Sequence, residues 1–182
     1  MTFLILHGIG GHAGIHWQQW LHDELVKDGH TVVMPDLPDS GHPDRQTWLK
    51  TVKNIADSIN PGELIIVSHS LGVPTALDYI EQADALLHGL ASVSGFAVVL
   101  NSDLNDYFMK EKTIDFEKVR PNIRRSVVFY GDNDPYVPQT ALKSLADELK
   151  AEPIVIPKGG HLNSDAGFTK FPQLLDAVKS LI

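Results

Sequence analysis

The sequence predicts a doubly wound α/β protein, built on a mostly parallel six-stranded sheet flanked by helices. Three observations carry this. Six short runs rich in Val, Ile and Leu do not alternate with polar residues, the pattern of strands buried on both faces. Amphipathic stretches separate these runs, so strand and helix alternate as in βαβ units with right-handed crossovers. The chain has 182 residues and is 43% hydrophobic, which suits a single domain over residues 1–182 with one core of ordinary size.

The expected strands are Thr2–Leu6 (TFLIL), Thr31–Met34 (TVVM), Leu64–Val67 (LIIV), Leu90–Val93 (LASV), Ser126–Tyr130 (SVVFY) and Pro153–Ile156 (PIVI). The helical stretches follow from apolar spacing. His16–Lys27 carries Trp17, Trp20, Leu21 and Leu25, and Arg45–Ile59 carries Trp48, Leu49, Val52, Ile55 and Ile59. Leu71–Ile80 comes next. Gln139–Leu149 carries Leu142, Leu145, Ala146 and Leu149, and Phe171–Ile182 carries Leu174, Leu175, Val178 and Leu181. Ser94–Asn122 is irregular and too long for one plain crossover. Its aromatic residues Phe96, Tyr107, Phe108 and Phe116 lead us to expect a small cap.

Composition excludes several classes. Fifteen Lys and Arg stand against 23 Asp and Glu, for a formal charge of −8. That opposes a nucleic-acid footprint and docking on anionic membranes. The densest basic group, Arg120, Arg124 and Arg125, reads as a solvated loop edge. With no cysteine there is no disulfide, thiolate nucleophile or cysteine-built zinc site, and the composition fits the cytoplasm. The opening MTFLILHGIGG lacks a basic n-region and reads as a strand rather than a signal peptide. No run reaches the ~18 apolar residues of a membrane span. The expected partner is a small molecule. Oligomeric state is left open, a monomer being compatible.

Open α/β sheets bind ligands at the carboxyl ends of their strands. There this sequence places His7-Gly8-Ile9-Gly10-Gly11, Pro35-Asp36, Ser68-His69-Ser70, Ser94-Gly95, Gly131-Asp132-Asn133-Asp134 and Gly159-Gly160-His161. Ser70, Asp134 and His161 therefore share one rim. Ile65–Gly72, "IIVSHSLG", has the steric logic of a nucleophile elbow. A serine lifted out at a strand tip needs small residues two positions to either side, and Ser70 has Ser68 and Gly72. Ser68 is the alternative nucleophile, but its neighbour Ile66 is too bulky and it would lie inside the strand. Ser70 could also simply cap the following helix.

The rest of the chain decides between these readings. A serine hydroxyl needs a base held in the right tautomer by an acid, and such triads on this kind of sheet run Ser, acid, His along the chain. Asp134 and His161 follow Ser70 in that order. Asp134 is preferred to Asp132, because Pro135 and Pro138 stiffen the turn that aims it, whereas Asp132 suits a turn bonding its own backbone. His69 is adjacent to Ser70 but does not share its face. Two backbone N–H groups, those of Leu71 and Ile9, are the expected oxyanion donors.

These residues resemble the small α/β-hydrolases related to retinoblastoma-binding protein nine and the bacterial YdeN-like proteins. The matching pieces are His7-Gly8, His16-Trp17, Trp20-Leu21, Pro35-Asp36-Leu37-Pro38, Ser70-Leu71-Gly72, Asp134-Pro135, Val137-Pro138 and Gly159-Gly160-His161, which span nearly the full chain in order. The resemblance implies a truncated hydrolase sheet, serine hydrolase activity, a Ser70–Asp134–His161 triad and no cofactor, and it leaves specificity open; the substrates expected here are carboxylic esters, with amides or peptides as further candidates. The departure is Ser68, where that family commonly has glycine.

Other readings compete. Gly8-Ile9-Gly10-Gly11-His12-Ala13 fits G-x-G-x-x-A after a strand, with Asp36 ending the next strand, as in dinucleotide-binding oxidoreductases. That reading leaves the later rim unexplained. A non-catalytic binding module on the same fold is a second alternative. His7, His12 and His16 lack the fixed spacing of a metal site, so no metal is expected.

Overall fold

The computed structural model describes all residues, 1–182. In chain order it contains β1 (Thr2–Leu6), α1 (Gln18–Lys27), β2 (Thr31–Val33), α2 (Arg45–Ala56), β3 (Leu64–His69), α3 (Gly72–Gln82) and β4 (Leu87–Val93). There follow α4 (Asp106–Lys110), α5 (Phe116–Val119), β5 (Ile123–Gly131), α6 (Gln139–Leu149), β6 (Pro153–Ile156) and α7 (Pro172–Ser180). The sheet has six strands in the order β2-β1-β3-β4-β5-β6. Every neighbouring pair is parallel, so the expected sheet holds and is parallel throughout.

The non-alternating strands follow from two cores, one on each face. Along β1, Leu4 and Leu6 pack with Trp48, Leu77 and Leu142, residues of α2, α3 and α6. Phe3 and Ile5 face the other way, against Leu21 and Leu25 of α1 and Leu174 and Val178 of α7. In β3, Leu64 and Ile66 join the first core, Ile65 and Val67 the second. Side chains alternate sides, so both alternating sets must be apolar.

Three strands are longer than their apolar runs, because ladder pairing continues where apolarity stops. β3 carries on through Ser68 and His69, opposite Ser92 and Val93. β4 begins at Leu87, across the polar His88 and the glycine at 89, and β5 begins at Ile123, before the exposed Arg124 and Arg125. The two-sided burial expected of every strand fails at the sheet margins. β6 has a single neighbour, and its Ile154 and Val155 are exposed.

The 94–122 segment packs beside α2 and α3, tied by a buried ion pair. Arg45 donates from Nε and Nη2 to the Asp78 carboxylate at 2.7 and 2.9 Å, and from Nη1 to the carbonyls of Phe108, Met109 and Lys112. Lys112 bridges back to Asp78 and Glu81. No helix is long and apolar enough to cross a membrane.

Candidate active site

β3 ends at His69, and Ser70 turns the chain at once into α3. Its φ is +53°, a left-handed conformation rare for residues other than glycine. Surrounding contacts hold that strain. Ser70 N–H donates to the Val93 carbonyl at 2.9 Å, and the Ser70 carbonyl accepts from Val73 N–H at 2.9 Å. The turn is too tight for side chains around it. A Cβ on Gly72 would lie 2.5 Å from the His7 carbonyl oxygen and 2.8 Å from Ser68 Oγ, and one on Gly8 would lie 2.8 Å from Ser70 Cβ. Ser68 lies within β3, fully buried, and its hydroxyl makes no hydrogen bond. It fills the place two residues before Ser70 without bonding the turn.

The three rim residues converge. Ser70 Oγ lies 2.9 Å from His161 Nε2, and His161 Nδ1 lies 2.8 Å from Asp134 Oδ2. The carboxylate accepts, so Nδ1 carries the proton and Nε2 is free to accept from the serine hydroxyl. Asp134 also uses Oδ1 to accept from the N–H groups of Tyr136 and Val137, at 2.9 and 3.0 Å. The backbone-bonding turn expected of Asp132 is thus made by Asp134 itself. Asp132 instead reaches across to Lys158 N–H at 2.7 Å, and Asn133 accepts from Gly160 N–H at 2.8 Å. Three consecutive side chains therefore hold the loop that carries His161. Reading Asp132 as a local turn residue missed this. The signal available was the run of three acceptors, Asp132-Asn133-Asp134, facing a glycine-rich loop.

The His161 ring sits between two aromatic edges, with ring centroids 4.9 Å from His69 and 5.1 Å from Tyr136. His69 is buried, and its Nε2–H donates to the main-chain oxygen of His161 at 2.9 Å. Trp17 Nε1–H donates to the next carbonyl in that loop, Leu162 O, at 2.9 Å. His69 is accordingly a second anchor of the histidine loop. Burial, reinforced by neighbouring His161, holds its imidazole well below the usual pKa of 6.5 and keeps it neutral.

The loop after β1 faces Ser70. The N–H groups of Ile9 and Leu71 are taken by no protein acceptor, while Gly10 N–H donates to Ser40 O and Gly11 N–H to Gly8 O. His7 fixes this loop. Its Nδ1–H donates to the Gly8 carbonyl at 2.8 Å and its Nε2 accepts from Leu37 N–H at 2.9 Å, a neutral tautomer that burial favours by lowering its pKa. Asp36, the acid of the dinucleotide-like pattern, accepts from Ala13 N–H at 2.6 Å and so serves the same loop. No group of three His, Asp or Glu side chains is arranged to hold a metal. These elements line a cavity of about 350 Å³, whose walls include Ile9, Ser70, Tyr136, His161, and Leu104 and Asn105 from the 94–122 segment.

Residues 3–180 match the family model described as serine hydrolase. YdeN of Bacillus subtilis (strain 168) is 30% identical over 179 residues, covering 97% of this chain and 93% of YdeN. The serine hydrolase RBBP9 of Rattus norvegicus is 25% identical, covering 95% of this chain and 90% of RBBP9. The crystal structure of the B. subtilis ydeN gene product superposes with a TM-score of 0.92 over 99% of this chain and 97% of that one. The sheet, the sequence match over almost its whole length and these relatives lead to one conclusion: the chain belongs to the serine hydrolase family, on an α/β-hydrolase fold.

Proposed function

We propose that the protein cleaves carboxylic esters through a Ser70–His161–Asp134 triad and an acyl-enzyme intermediate. The observation that carries this reading is the unbroken relay of 2.9 and 2.8 Å contacts from Ser70 Oγ through His161 to Asp134, with Ser70 strained at the strand tip. His161 Nε2 takes the hydroxyl proton as Ser70 Oγ attacks the acyl carbon. The carbonyl π electrons move onto oxygen, which the Ile9 and Leu71 N–H groups stabilise. Asp134 keeps the imidazole in the productive tautomer and stabilises its charged form. The tetrahedral intermediate collapses, and His161 gives its proton to the departing alkoxide. Water, deprotonated by the same His161, then releases the acid. Carboxylic esters are the primary substrate class, and amides and peptides follow the same steps with a poorer leaving group.

In this reading the 94–122 segment acts as a small cap on the site, since Leu104 and Asn105 form part of the cavity wall. The cysteine-free composition suits a reducing compartment, so the reading places the protein in the cytoplasm. The test is steady-state hydrolysis of short p-nitrophenyl esters. Ser70→Ala and His161→Ala should each lose about 10⁴-fold or more in kcat with the fold intact. Wild-type rates indistinguishable from those of Ser70→Ala would refute the assignment and favour a non-catalytic binding module.

A further inference from the structure

Asparagine and aspartate at a helix start normally accept a backbone N–H. This protein follows the rule at Asp44, Asn60, Asp115 and Asn163, whose side chains accept from Thr47, Gly62, Glu117 and Ala166 N–H respectively. Asn105, at the start of α4, does not. Its backbone is fully employed, N–H to Ser102 O and carbonyl to Met109 N–H, yet its side chain makes no hydrogen bond. The residue is only 5% exposed, and its Oδ1 is buried without a partner. An unpaired buried carbonyl opposes folding, since it gives up its hydrogen bonds to water and gains none. Such a group needs a reason to stay.

Its location supplies one. Asn105 lines the same cavity as Ser70. Most other polar side chains there are committed: His161 to Ser70 and Asp134, His69 to the His161 carbonyl, His16 to Ser164, and Asn163 to Ala166, while the hydroxyl of the exposed Tyr136 makes no hydrogen bond within the protein. The Asn105 amide is the buried hydrogen-bonding group of the wall that has no partner within the protein. Its terminal torsion is broad and roughly two-fold, so a half-turn offers the cavity either the carbonyl or the NH₂. The chemical complement of a primary amide is another amide, whose N–H and C=O match it.

We propose that Asn105 is a specificity-determining residue that binds a secondary amide in the acyl portion of the substrate, selecting N-acylamino (peptide-like) esters over simple alkyl esters. This rests on the hydrolase reading above. The acyl side is assigned because that portion stays on Ser70 through both half-reactions, so a contact to it acts on both.

The test compares p-nitrophenyl N-acetylglycinate with p-nitrophenyl 4-oxopentanoate, which replaces the N–H by CH₂ at equal length. Each kcat/KM is normalised to that ester's own rate with hydroxide. Wild type should prefer the amide ester by about 10-fold. Asn105→Leu, and Asn105→Ala as a second variant, should bring the ratio to within about twofold of one, because the amide ester loses more kcat/KM than the ketone ester does. Asn105→Leu should not lower Tm, because replacing an unsatisfied buried polar group by an apolar one of similar size is neutral or stabilising. That outcome distinguishes recognition from a structural role. An unchanged ratio in the variants, no preference in wild type, or a folding failure of both variants would overturn the assignment. Failure of wild type to turn over either ester, with no covalent adduct at Ser70, would instead sink the hydrolase reading and this inference with it.

Discussion

His69 Nε2–H donates to the main-chain oxygen of His161 at 2.9 Å, so the residue beside the proposed nucleophile holds the loop of the proposed base. The two chain segments are 92 residues apart in sequence, and this bond helps fix their register. Removing it leaves the His161 carbonyl unpaired next to the Ser70–His161 contact. His69→Phe, similar in shape but without the donor, should lower kcat by about 10- to 100-fold with a smaller effect on KM, since misplacement of the order of 1 Å acts on the chemical step. His69→Gln, which keeps a donor, should recover part of the loss. Steady-state kinetics of the two variants check this, and equal kcat for His69→Phe and wild type would refute it.

Gly8 faces Ser70 so closely that a methyl group there would lie 2.8 Å from the Ser70 Cβ. Gly8→Ala should displace the loop carrying Ile9 N–H and cut ester hydrolysis by about 10²-fold, the cost of losing one oxyanion donor. Ser68→Ala is the contrasting change. The Ser68 hydroxyl is buried and bonds nothing, so its loss should leave both activity and Tm near wild type. Parallel kinetics and thermal melts of the two variants test the pair.

The Arg45–Asp78 pair is fully buried, with side-chain exposures of 0% and 1%. Deleting Arg45 leaves the buried Asp78 carboxylate with Lys112, itself shared with Glu81, as its remaining counter-charge. Arg45→Met should destabilise the protein by about 3–5 kcal/mol, read from the midpoint of urea unfolding. It also frees the carbonyls of Phe108, Met109 and Lys112, so hydrogen exchange should rise first in the 106–112 stretch.

Burial lowers the pKa of His7, His16 and His69 from the usual 6.5. The unfolded chain therefore binds more protons than the native one below about pH 6.5, and stability rises with pH through that range. The contribution of these groups is fully present above the unfolded pKa of 6.5 and is lost as pH falls through it toward the lowered folded values. Unfolding free energies should be smaller at about pH 5 than at about pH 8. The drop should be shallower in His69→Phe, which removes the histidine whose pKa is lowered furthest of the three. Equal drops in the two proteins would contradict this.

Much of the fold was legible because burial on both faces of a parallel sheet writes unbroken apolar runs such as Ile65–Val67, and because a nucleophile elbow restricts residue size around Ser70. The legible part stops where pairing is made by backbone alone. β4 starts at Leu87 despite His88 and Gly89, since a ladder bond needs no apolar side chain. The long-range polar contacts were equally silent. Nothing local in Arg45 announces Asp78, and nothing in His69 announces the carbonyl of His161, because each partner is fixed only once helices and loops have packed. The glycine-rich turn after β1 carries a dinucleotide-like pattern for a physical reason. A tight backbone approach demands glycine whether the neighbour is a pyrophosphate or, as at Gly8, the Cβ of Ser70.

The central claim is that Ser70 is the nucleophile, and covalent capture by a fluorophosphonate tests it most directly. The adduct is located by peptide mass spectrometry in wild type, Ser70→Ala and Ser68→Ala. The account predicts one phosphonylated residue, Ser70, in wild type and in Ser68→Ala, and no adduct in Ser70→Ala. Labelling that survives in Ser70→Ala and disappears in Ser68→Ala would contradict it.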